Sequence, residues 1–398
     1  MKFKHLFLTF FIFTLFSYTQ LFSANVNQGQ WKETVKNGVK TIINTGNPIY
    51  GKIVLGLEKN LSLSFSENDS DIFGDITTID LDKENNIYVL DGKRYTISVF
   101  DNKGRFLYKM GGKGAGPGEF RSPVDFFVGL KKEIYVLDDF LWIHILDMKG
   151  KYISQIRLNN SANAFNVYKD RDYLISFLFY SQNKKRRYIK LNYMYPLRNI
   201  NKEIAMYEDG EVTSRVANGK FTSFILTHYY TPGFFLTRMP EEKSIYGFSS
   251  EYALTILGKN GAAVLRIEKT EEPVSISGDE KDRIYQQYSS LEKKWSKNVL
   301  REALQFADHR PFFKNILVDD LGRIYVERMD SVLNEKNKNK YMLDVFDKYG
   351  HYIYRMEVPV KPVLIRNGFL YSIDNGSESD DVSLQRFRVL NWANMRVN

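Results

Sequence analysis

The feature that most constrains the fold of this chain is a unit of strands and turns that recurs along it. The segment Ile-Tyr-Val-Leu-Asp occupies residues 87–91 and again residues 134–138, 47 positions later. A turn of the form Asp-x-x-Gly follows each copy, at residues 101–104 and 147–150. A third copy of the unit spans residues 319–353. A repeat period between roughly 20 and 50 residues is typical of solenoids, propellers and arrays.

Each unit has the composition and turn chemistry of an antiparallel meander of three to four strands. Its strands are rich in isoleucine, valine and tyrosine, and β-branched and aromatic residues favour strands. In the Asp-x-x-Gly turn, the aspartate can accept a hydrogen bond from the backbone two residues on, and the glycine tolerates a positive φ. One meander cannot bury both of its faces, whereas meanders stacked around an axis can. The repeat therefore predicts a β-propeller.

Weaker copies of the unit, at residues 174–191, 246–265 and 363–389, bring the number of units to six. The last unit lacks its outermost strand, while the N-terminal region has strand-like segments to spare at residues 51–57 and 61–65. Joining one of these segments to the last unit closes the ring and removes exposed sheet edges.

We therefore predict an all-β fold. It is a six-bladed β-propeller of four-stranded antiparallel blades, closed by an N-terminal strand, and it forms a single domain over residues 25–398. A monomer is expected.

One segment, residues 279–306, departs from the repeat. Its apolar residues recur mostly every three to five positions opposite a charged face, which is helical periodicity. We predict one long helix or a helix pair inserted before the fifth unit, acting as a cap on one end of the propeller or as a lid over a ligand site. The apolar residues are Ile284, Tyr288, Leu291, Trp295, Val299 and Leu304.

The N-terminus has the layout of a secretory signal peptide over residues 1–24. Lys2 and Lys4 precede an apolar run at residues 6–16, and small residues follow at Ser23 and Ala24. The alternative is a retained N-terminal anchor, although the run is short for a membrane span. The chain has no cysteine, which excludes disulfides and a lipidated N-terminal cysteine. We expect an exported protein, periplasmic or extracellular, that is not a lipoprotein and has no stable membrane insertion after cleavage.

The formal charge of +9 does not indicate a nucleic-acid partner. The basic residues lie in short, separate clusters such as residues 184–187, whereas nucleic-acid binding needs a continuous basic face. Export also argues against such a partner.

The glycine-rich run at residues 111–118 is not expected to bind phosphate. A phosphate loop precedes the N-terminus of a helix. Here the run leads through Phe120 to Pro123 and another strand. We interpret it as a tight link between two blades, with Phe120 packed as a plug.

No motif for catalysis or for a cofactor emerges from the sequence. The histidines after the signal peptide are His144, His228, His309 and His351; they form no His-x-x-x-His pair, and there is no Gly-x-Ser-x-Gly segment. No cofactor is predicted. The alternative is a lyase or hydrolase with a metal such as calcium, held by side-chain oxygens in the central channel.

Blade topology gives a better indication of where a partner binds. In a four-stranded meander, the loop between the second and third strands lies on the same face as the link to the next blade. Variable loops on a rigid scaffold often carry binding sites. We therefore predict a non-enzymatic protein that binds a protein, peptide or carbohydrate partner on this face. The candidate residues are Arg94, Tyr95, Arg121, Asp138, Asp139, Phe140, Trp142, Arg310 and Arg328.

The segment at residues 111–120, together with Pro123 and the repeated strands, resembles the linker and blades of NHL-repeat proteins. The chain after the signal peptide is similar to exported six-bladed β-propeller proteins of bacteria. The resemblance is clear over residues 76–155 and 312–356. It implies binding or scaffolding more often than chemistry.

Overall fold

The computed structural model describes residues 30–63, 73–168, 171–181, 186–195, 200–211, 213–217, 220–224, 227–293, 296–334, 340–375 and 382–391. The predicted signal peptide and Trp295 lie outside the described residues.

The described strands confirm the predicted propeller of six four-stranded antiparallel blades. Blade 1 contains β5 (Ile76–Leu81), β6 (Ile87–Asp91), β7 (Thr96–Phe100) and β8 (Phe106–Gly111). Blade 2 contains β9 (Pro123–Val128), β10 (Glu133–Asp138), β11 (Trp142–Asp147) and β12 (Tyr152–Arg157). Blade 3 contains β13 (Ala162–Val167), β14 (Tyr173–Ser181), β15 (Arg186–Tyr195) and β16 (Ile200–Glu211). A two-stranded hairpin, β17 (Thr213–Ala217) and β18 (Lys220–Phe224), follows blade 3.

The second half of the chain forms the other three blades. Blade 4 contains β19 (Phe234–Met239), β20 (Lys243–Phe248), β21 (Ala253–Leu257) and β22 (Ala263–Lys269). Blade 5 contains β23 (Phe313–Val318), β24 (Ile324–Arg328), β25 (Tyr341–Phe346) and β26 (Tyr352–Val358). Blade 6 contains β27 (Leu364–Arg366), β28 (Phe369–Asn375), β29 (Val382–Val389) and the N-terminal strand β4 (Leu57–Leu63). The first strands of successive blades contact one another, so they surround the axis.

The ring closes as predicted, through the antiparallel pairing of β4 with β29. In this pairing Leu63 lies opposite Leu384, and both side chains are buried. The closing strand gives blade 6 its fourth strand and covers an edge of β29 that would otherwise be open to other chains.

The N-terminal region also supports two other blades, which the sequence did not predict. Strands β1 (Gln30–Lys36) and β2 (Val39–Thr45) form a hairpin, and β2 pairs in parallel with the outer strand of blade 4. Strand β3 (Lys52–Val54) pairs in parallel with the outer strand of blade 5. Ile42 of β2 is fully buried, and the Asn44 amide bonds the carbonyl of Gly350 at 2.9 Å and the backbone N–H of Tyr352 at 2.9 Å.

The Asp-x-x-Gly turns have the predicted hydrogen bonds. The carboxylate of Asp101 accepts hydrogen bonds from the backbone N–H groups of Lys103 and Arg105, both at 2.9 Å. The glycine of this turn, Gly104, has a φ of 84°. Asp147 and Gly150 form the same turn in blade 2. These turns join the third and fourth strands of their blades.

The glycine-rich run is a tight link between blades 1 and 2, as predicted, and β9 rather than a helix follows it. Phe120 is fully buried in the core between the two blades, and its backbone N–H donates to the carbonyl of Gly112 at 2.8 Å. Gly111 has a φ of 88°. A Cβ atom there would lie 2.8 Å from the carbonyl oxygen of Tyr95 and closer still to the Phe120 ring.

Replacing Gly111 with alanine is therefore expected to lower the free energy of unfolding by about 2–3 kcal/mol, because the new methyl group meets both a strained backbone and the buried ring. Urea denaturation followed by circular dichroism measures this change. Gly278→Ala is the control, since no atom lies within 4 Å of the added Cβ; it should change stability by less than about 0.5 kcal/mol. Equal stability of the two variants would contradict this account of the link.

The insertion between blades 4 and 5 is a pair of short helices, α1 (Gly278–Gln287) and α2 (Lys297–Ala303), separated by a 3₁₀ turn at Ser289–Lys293. A capping box formed by Ser277 and Glu280 begins α1. The Glu280 carboxylate is fully buried, where it accepts hydrogen bonds from Tyr230, which leads into blade 4, and from Ser331 of blade 5. Burial acts to raise the pKa of Glu280, but these hydrogen bonds lower it to about 2. The insertion is thus anchored on blades 4 and 5, which favours the cap over the lid.

A candidate ligand site in the axial cavity

A cavity of about 820 Å³ opens at one end of the propeller axis. All six blades contribute to it, each through the end of its first strand and the turn to its second strand. We call this end of the propeller the cavity face, and the opposite end, with the links between blades, the loop face. The cavity is lined by residues 81–84, 86, 88, 108, 127–130, 132, 148, 166–168, 238–244, 318–320 and 366–367.

Two arginines and one aspartate meet at the inner end of this cavity. Arg238 of blade 4 lies 2.6 Å from Oδ2 of Asp80 in blade 1, and Arg366 of blade 6 lies 3.2 Å from Oδ1 of the same carboxylate. Asp80 also accepts hydrogen bonds from the backbone N–H groups of Leu81 and Val128, both at 2.9 Å. Its acceptor positions are therefore used by four donors from four blades.

We call Asp80, Arg238 and Arg366 the trio. Their side chains differ in charge and in exposure. The Asp80 side chain is 4% exposed, whereas the side chains of Arg238 and Arg366 are 31% and 26% exposed and line the cavity. Burial acts to raise the pKa of Asp80, but the two guanidinium groups hold it below its ordinary value. Two cations thus share the carboxylate of Asp80, and the nearby Asp125 holds a proton below about pH 7, so the inner end of the cavity has a net positive charge below that pH.

Aromatic and polar side chains form the walls. The Arg238 guanidinium lies 3.8 Å from the centre of the Phe127 ring, a cation–π contact that fixes its orientation. The hydroxyl groups of Tyr168 and Ser244 are 2.7 Å apart, and the Asn166 amide donates to Ser244 at 3.1 Å. These contacts hold the wall side chains in place before any ligand enters.

The mouth of the cavity carries the opposite charge. Five carboxylates lie around it, together with three lysines that line the cavity and with Lys348 beside Glu241. We call this ring the acidic rim. Its carboxylates are Asp82, Glu84, Glu241, Glu242 and Asp320. The lysines are Lys83, Lys132 and Lys243. The cavity is therefore basic at its inner end and acidic at its mouth.

Asp125 of β9 lies near the trio, and the pKa of its carboxyl group is well above the ordinary value. Burial raises the pKa of Asp125 to about 7, although a hydrogen bond from the N–H of Phe126 and the charge of Arg238 oppose this rise. Between the unfolded pKa of about 3.9 and this value, the folded state holds a proton that the unfolded state has lost. Asp125 therefore makes the protein less stable as the pH rises through this window.

The variant Asp125→Asn is expected to remove this dependence. Relative to wild type, it should gain about 2 kcal/mol in free energy of unfolding between pH 5 and pH 8, because the asparagine has no proton to lose. Urea denaturation of both proteins at the two pH values measures the difference. Parallel pH profiles for the two proteins would contradict the raised pKa.

The Asp80 carboxylate of the trio is not available to bind a metal ion. Asp80 is already surrounded by donors, and a guanidinium group lies on each of its oxygens. Among the residues that the structure describes, no group of three or more histidine, aspartate or glutamate side chains is placed to hold a metal ion.

On the loop face, the structure brings three of the predicted binding residues together. Arg121, Asp138 and Trp142 surround a notch of about 50 Å³ in blade 2, which also contains His144. Asp138 is buried and accepts hydrogen bonds from the backbone N–H of Arg121 at 3.0 Å and from the His144 ring at 3.3 Å. The other ring nitrogen of His144, Nδ1, is buried and has no hydrogen-bond partner in the part of the chain that the structure describes. We call this site the blade 2 notch.

Four other predicted residues lie in blades 1 and 2 near the same face. The Phe140 side chain is 44% exposed, and Asp139 beside it is also exposed. Arg94 lies 3.8 Å from the Asp91 carboxylate. Tyr95 has a φ of 64° and its ring lies 5.2 Å from the Lys113 ammonium group.

The last two predicted residues take part in buried ion pairs. Arg310 lies 2.9 Å from Glu280 and so anchors the helical insertion. Arg328 lies 2.8 Å from the fully buried Asp344 and also contacts Glu271. The structure therefore places seven of the nine predicted residues in blades 1 and 2 and the other two in ion pairs near the insertion.

The sequence did not point to Asp80, Arg238 or Arg366, although one signal was present. Asp80 lies opposite Tyr88 in its blade, and the equivalent positions in blades 2 and 5 are Phe127 and Leu317, each opposite the tyrosine of its own blade. A charged residue where the repeat has an apolar one marks a departure from the structural pattern.

Comparison with protein families agrees with this architecture. A family model described as 6-bladed beta-propeller (DUF5128) matches residues 54–253, or 200 of the 398 residues. The chain belongs to this family. The match begins at the end of β3 and ends in blade 4, so it includes the closing strand and the first three blades. None of the curated proteins matches the chain.

Solved structures with the same architecture have little sequence in common with this DUF5128 protein. A protein from Bacteroides fragilis that is described as exported has a TM-score of 0.51 and 14% identity, with 87% of this chain and 99% of that chain covered. A DUF4221 family member from Bacteroides vulgatus has a TM-score of 0.49 and 10% identity, with 84% and 98% covered. Virginiamycin B lyase from Staphylococcus aureus has a TM-score of 0.42 and 10% identity, with 84% and 100% covered. At these identities the likeness concerns the fold alone.

No helix in the described part of the chain is long and apolar enough to cross a membrane.

Proposed function

We propose that this protein is an exported, non-enzymatic propeller that binds a small ligand in its axial cavity. The observation that carries the proposal is the cavity itself, because the strand ends and turns of all six blades contribute to it. Its volume of about 820 Å³ falls within the range of small-molecule sites, roughly 300–1,000 Å³. Like such sites, the cavity has aromatic lining residues and polar groups that are already oriented by hydrogen bonds.

Export is part of this proposal. It is supported by segment 1–24, which has a basic start, an apolar run and small residues. The B. fragilis protein is also described as exported. We also propose that the blades are NHL-like repeats, because residues 111–120 resemble the linker of that repeat.

The test is retention of a ligand by purified protein. The protein without residues 1–24 is incubated with the low-molecular-weight fraction of spent growth medium and washed, and retained molecules are released by denaturation and identified by mass spectrometry. A variant that narrows the mouth, Glu84→Trp with Leu130→Trp, should lose the retained molecule, since both exposed residues line the cavity. Leu107→Trp is the matched control, because Leu107 is exposed on β8, away from the cavity. Equal retention by the narrowed and control variants would refute the proposal.

A second candidate is a protein, peptide or carbohydrate partner on the loop face, as the sequence predicted. The blade 2 notch favours it, because Arg121, Trp142 and His144 line it and the Nδ1 atom of His144 has no hydrogen-bond partner among the described residues. The notch holds about 50 Å³, so only a small group of such a partner enters it. Loss of partner binding in Trp142→Ala, with unchanged ligand retention, would assign this function to the loop face.

The alternative of a lyase or hydrolase with channel-bound calcium has less support. The Asp80 carboxylate at the inner end of the cavity is neutralised by Arg238 and Arg366, which leaves it unsuited to bind a cation. Elemental analysis of the purified protein tests this alternative, which requires a stoichiometric metal.

A further inference from the structure

The charge distribution of the axial cavity specifies its ligand more closely. The inner end has two guanidinium groups that share the single carboxylate of Asp80, and both remain partly exposed to the cavity. A guanidinium group presents five N–H donors in a planar fork, which suits a carboxylate. Each arginine uses one terminal nitrogen on Asp80, so each guanidinium has further donors with which to bind a ligand anion.

The acidic rim argues against a simple anion. A purely anionic ligand would pass five carboxylates, which outnumber the three lining lysines and the neighbouring Lys348. Of these lysines, Lys243 lies 2.6 Å from Glu241 and is thus already paired. A ligand with a cationic group near the mouth would instead gain from the rim. The two ends of the cavity therefore favour opposite charges on one molecule.

The walls and the size of the cavity favour a ligand longer than one amino acid. The cavity is also lined by the rings of Phe127, Tyr88, Tyr108 and Tyr168. Such rings contact an apolar or aromatic side chain in the middle of a ligand. A volume of about 820 Å³ suits a molecule of drug size.

We infer that the axial cavity binds a short peptide with free ends, its C-terminal carboxylate on Arg238 and Arg366 and its N-terminal ammonium group at the acidic rim. This inference rests on the proposed function of the cavity and names its ligand class. Capture of a terminal carboxylate by fixed donors is a known mode of peptide recognition. Here the donors are Arg238 of blade 4 and Arg366 of blade 6.

Isothermal titration calorimetry with defined peptides tests this inference. The probes are Ala-Phe-Ala, its C-terminal amide, its N-acetyl derivative and free phenylalanine. Ala-Phe-Ala should bind, and the amide should bind at least tenfold more weakly because it lacks the charge that the arginines recognise. The N-acetyl derivative should bind severalfold more weakly, and phenylalanine should bind more weakly than the tripeptide because it cannot span both ends.

Variants of Arg366 separate recognition of the peptide carboxylate from binding of the rest of the peptide. Arg366→Gln should weaken Ala-Phe-Ala at least tenfold but change the binding of the amide little, since the amide makes no ion pair. Arg366→Lys, which keeps the charge without the fork, should be intermediate and guards against a folding defect in the first variant. Arg157→Gln, an exposed arginine beside Trp142 on the loop face, is the control and should bind like wild type.

The outcomes are distinct. Equal binding of the acid and the amide, equal effects of Arg366→Gln on both, or no binding of Ala-Phe-Ala would overturn the inference of a peptide carboxylate. Phenylalanine binding as tightly as the tripeptide would overturn the inferred length. In each case the proposed function stands if the retained ligand is still lost from the variant with the narrowed mouth, so the two failures can be told apart.

Discussion

Replacing Asp344 with alanine is expected to lower the free energy of unfolding by about 3–5 kcal/mol, because it leaves several buried cations without their shared partner. Asp344 of blade 5 is fully buried. Its Oδ1 atom accepts hydrogen bonds from Tyr352 at 2.5 Å and Arg355 at 2.9 Å, and its Oδ2 atom accepts from Tyr252 at 2.6 Å and Arg328 at 2.8 Å.

The same groups determine the titration of this carboxyl group. Burial acts to raise the pKa of Asp344, but Arg328, Lys269 and Arg355 hold it well below its ordinary value. Its contribution to stability is therefore present above the unfolded pKa of about 3.9 and is lost only as the pH falls through its lower, folded pKa. The loss in the alanine variant should be present in full at neutral pH.

Urea denaturation at pH 7 measures the effect, with Glu33→Ala as control. Glu33 lies 2.8 Å from Lys40 on the exposed hairpin of β1 and β2, and both side chains are about half exposed. An exposed pair of this kind contributes about 0–1 kcal/mol. A similar, small loss in both variants would show that the buried network does not stabilise blade 5 in the way described.

Removal of the closing strand is expected to have the second large effect. A chain that begins at residue 64 lacks β4 and leaves the edge of β29 unpaired. It also loses the buried side chains of Leu55 and Leu63, which together contribute about 3–6 kcal/mol. Because a typical domain is stable by only about 5–15 kcal/mol, this chain should lose cooperative unfolding and aggregate through the open edge.

A shorter truncation is the matched control for ring closure. A chain that begins at residue 47 loses β1 and β2 but keeps β3 and β4. It should remain monomeric and unfold cooperatively at a lower urea concentration, since it lacks Ile42 and the hydrogen bonds of Asn44. Size-exclusion chromatography and circular dichroism distinguish the two chains. Cooperative folding of the chain that begins at residue 64 would contradict the closing role of β4.

The blade architecture could be predicted because its signals are local in sequence. The Asp101 turn and the buried strand at residues 87–91 each depend on neighbours within about one repeat, and the repetition of these signals indicates stacking around an axis. The missing strand of blade 6 was predicted from the requirement that the ring close. The parallel placement of β2 and β3 was not, because pairing on the outer edge of a blade leaves no periodic pattern in the sequence.

The axial site could not be predicted because its residues are distant in sequence. Arg238 is 158 positions from Asp80, and Arg366 is 286 positions from it. Only closure of the ring brings blades 1, 4 and 6 to a common axis. Because the loops vary between blades, we predicted a binding site on the opposite face. Two of the residues predicted there, Arg310 and Arg328, instead form ion pairs near the helical insertion. The candidate residues of blade 2 remain a prediction for partner binding.

A crystal structure of the protein with Ala-Phe-Ala tests the central claim most directly. We expect electron density for the peptide in the axial cavity, with its terminal carboxylate within hydrogen-bond distance of Arg238 and Arg366. Density for the peptide on the loop face, at Trp142 and the blade 2 notch, together with an empty axial cavity, would contradict it.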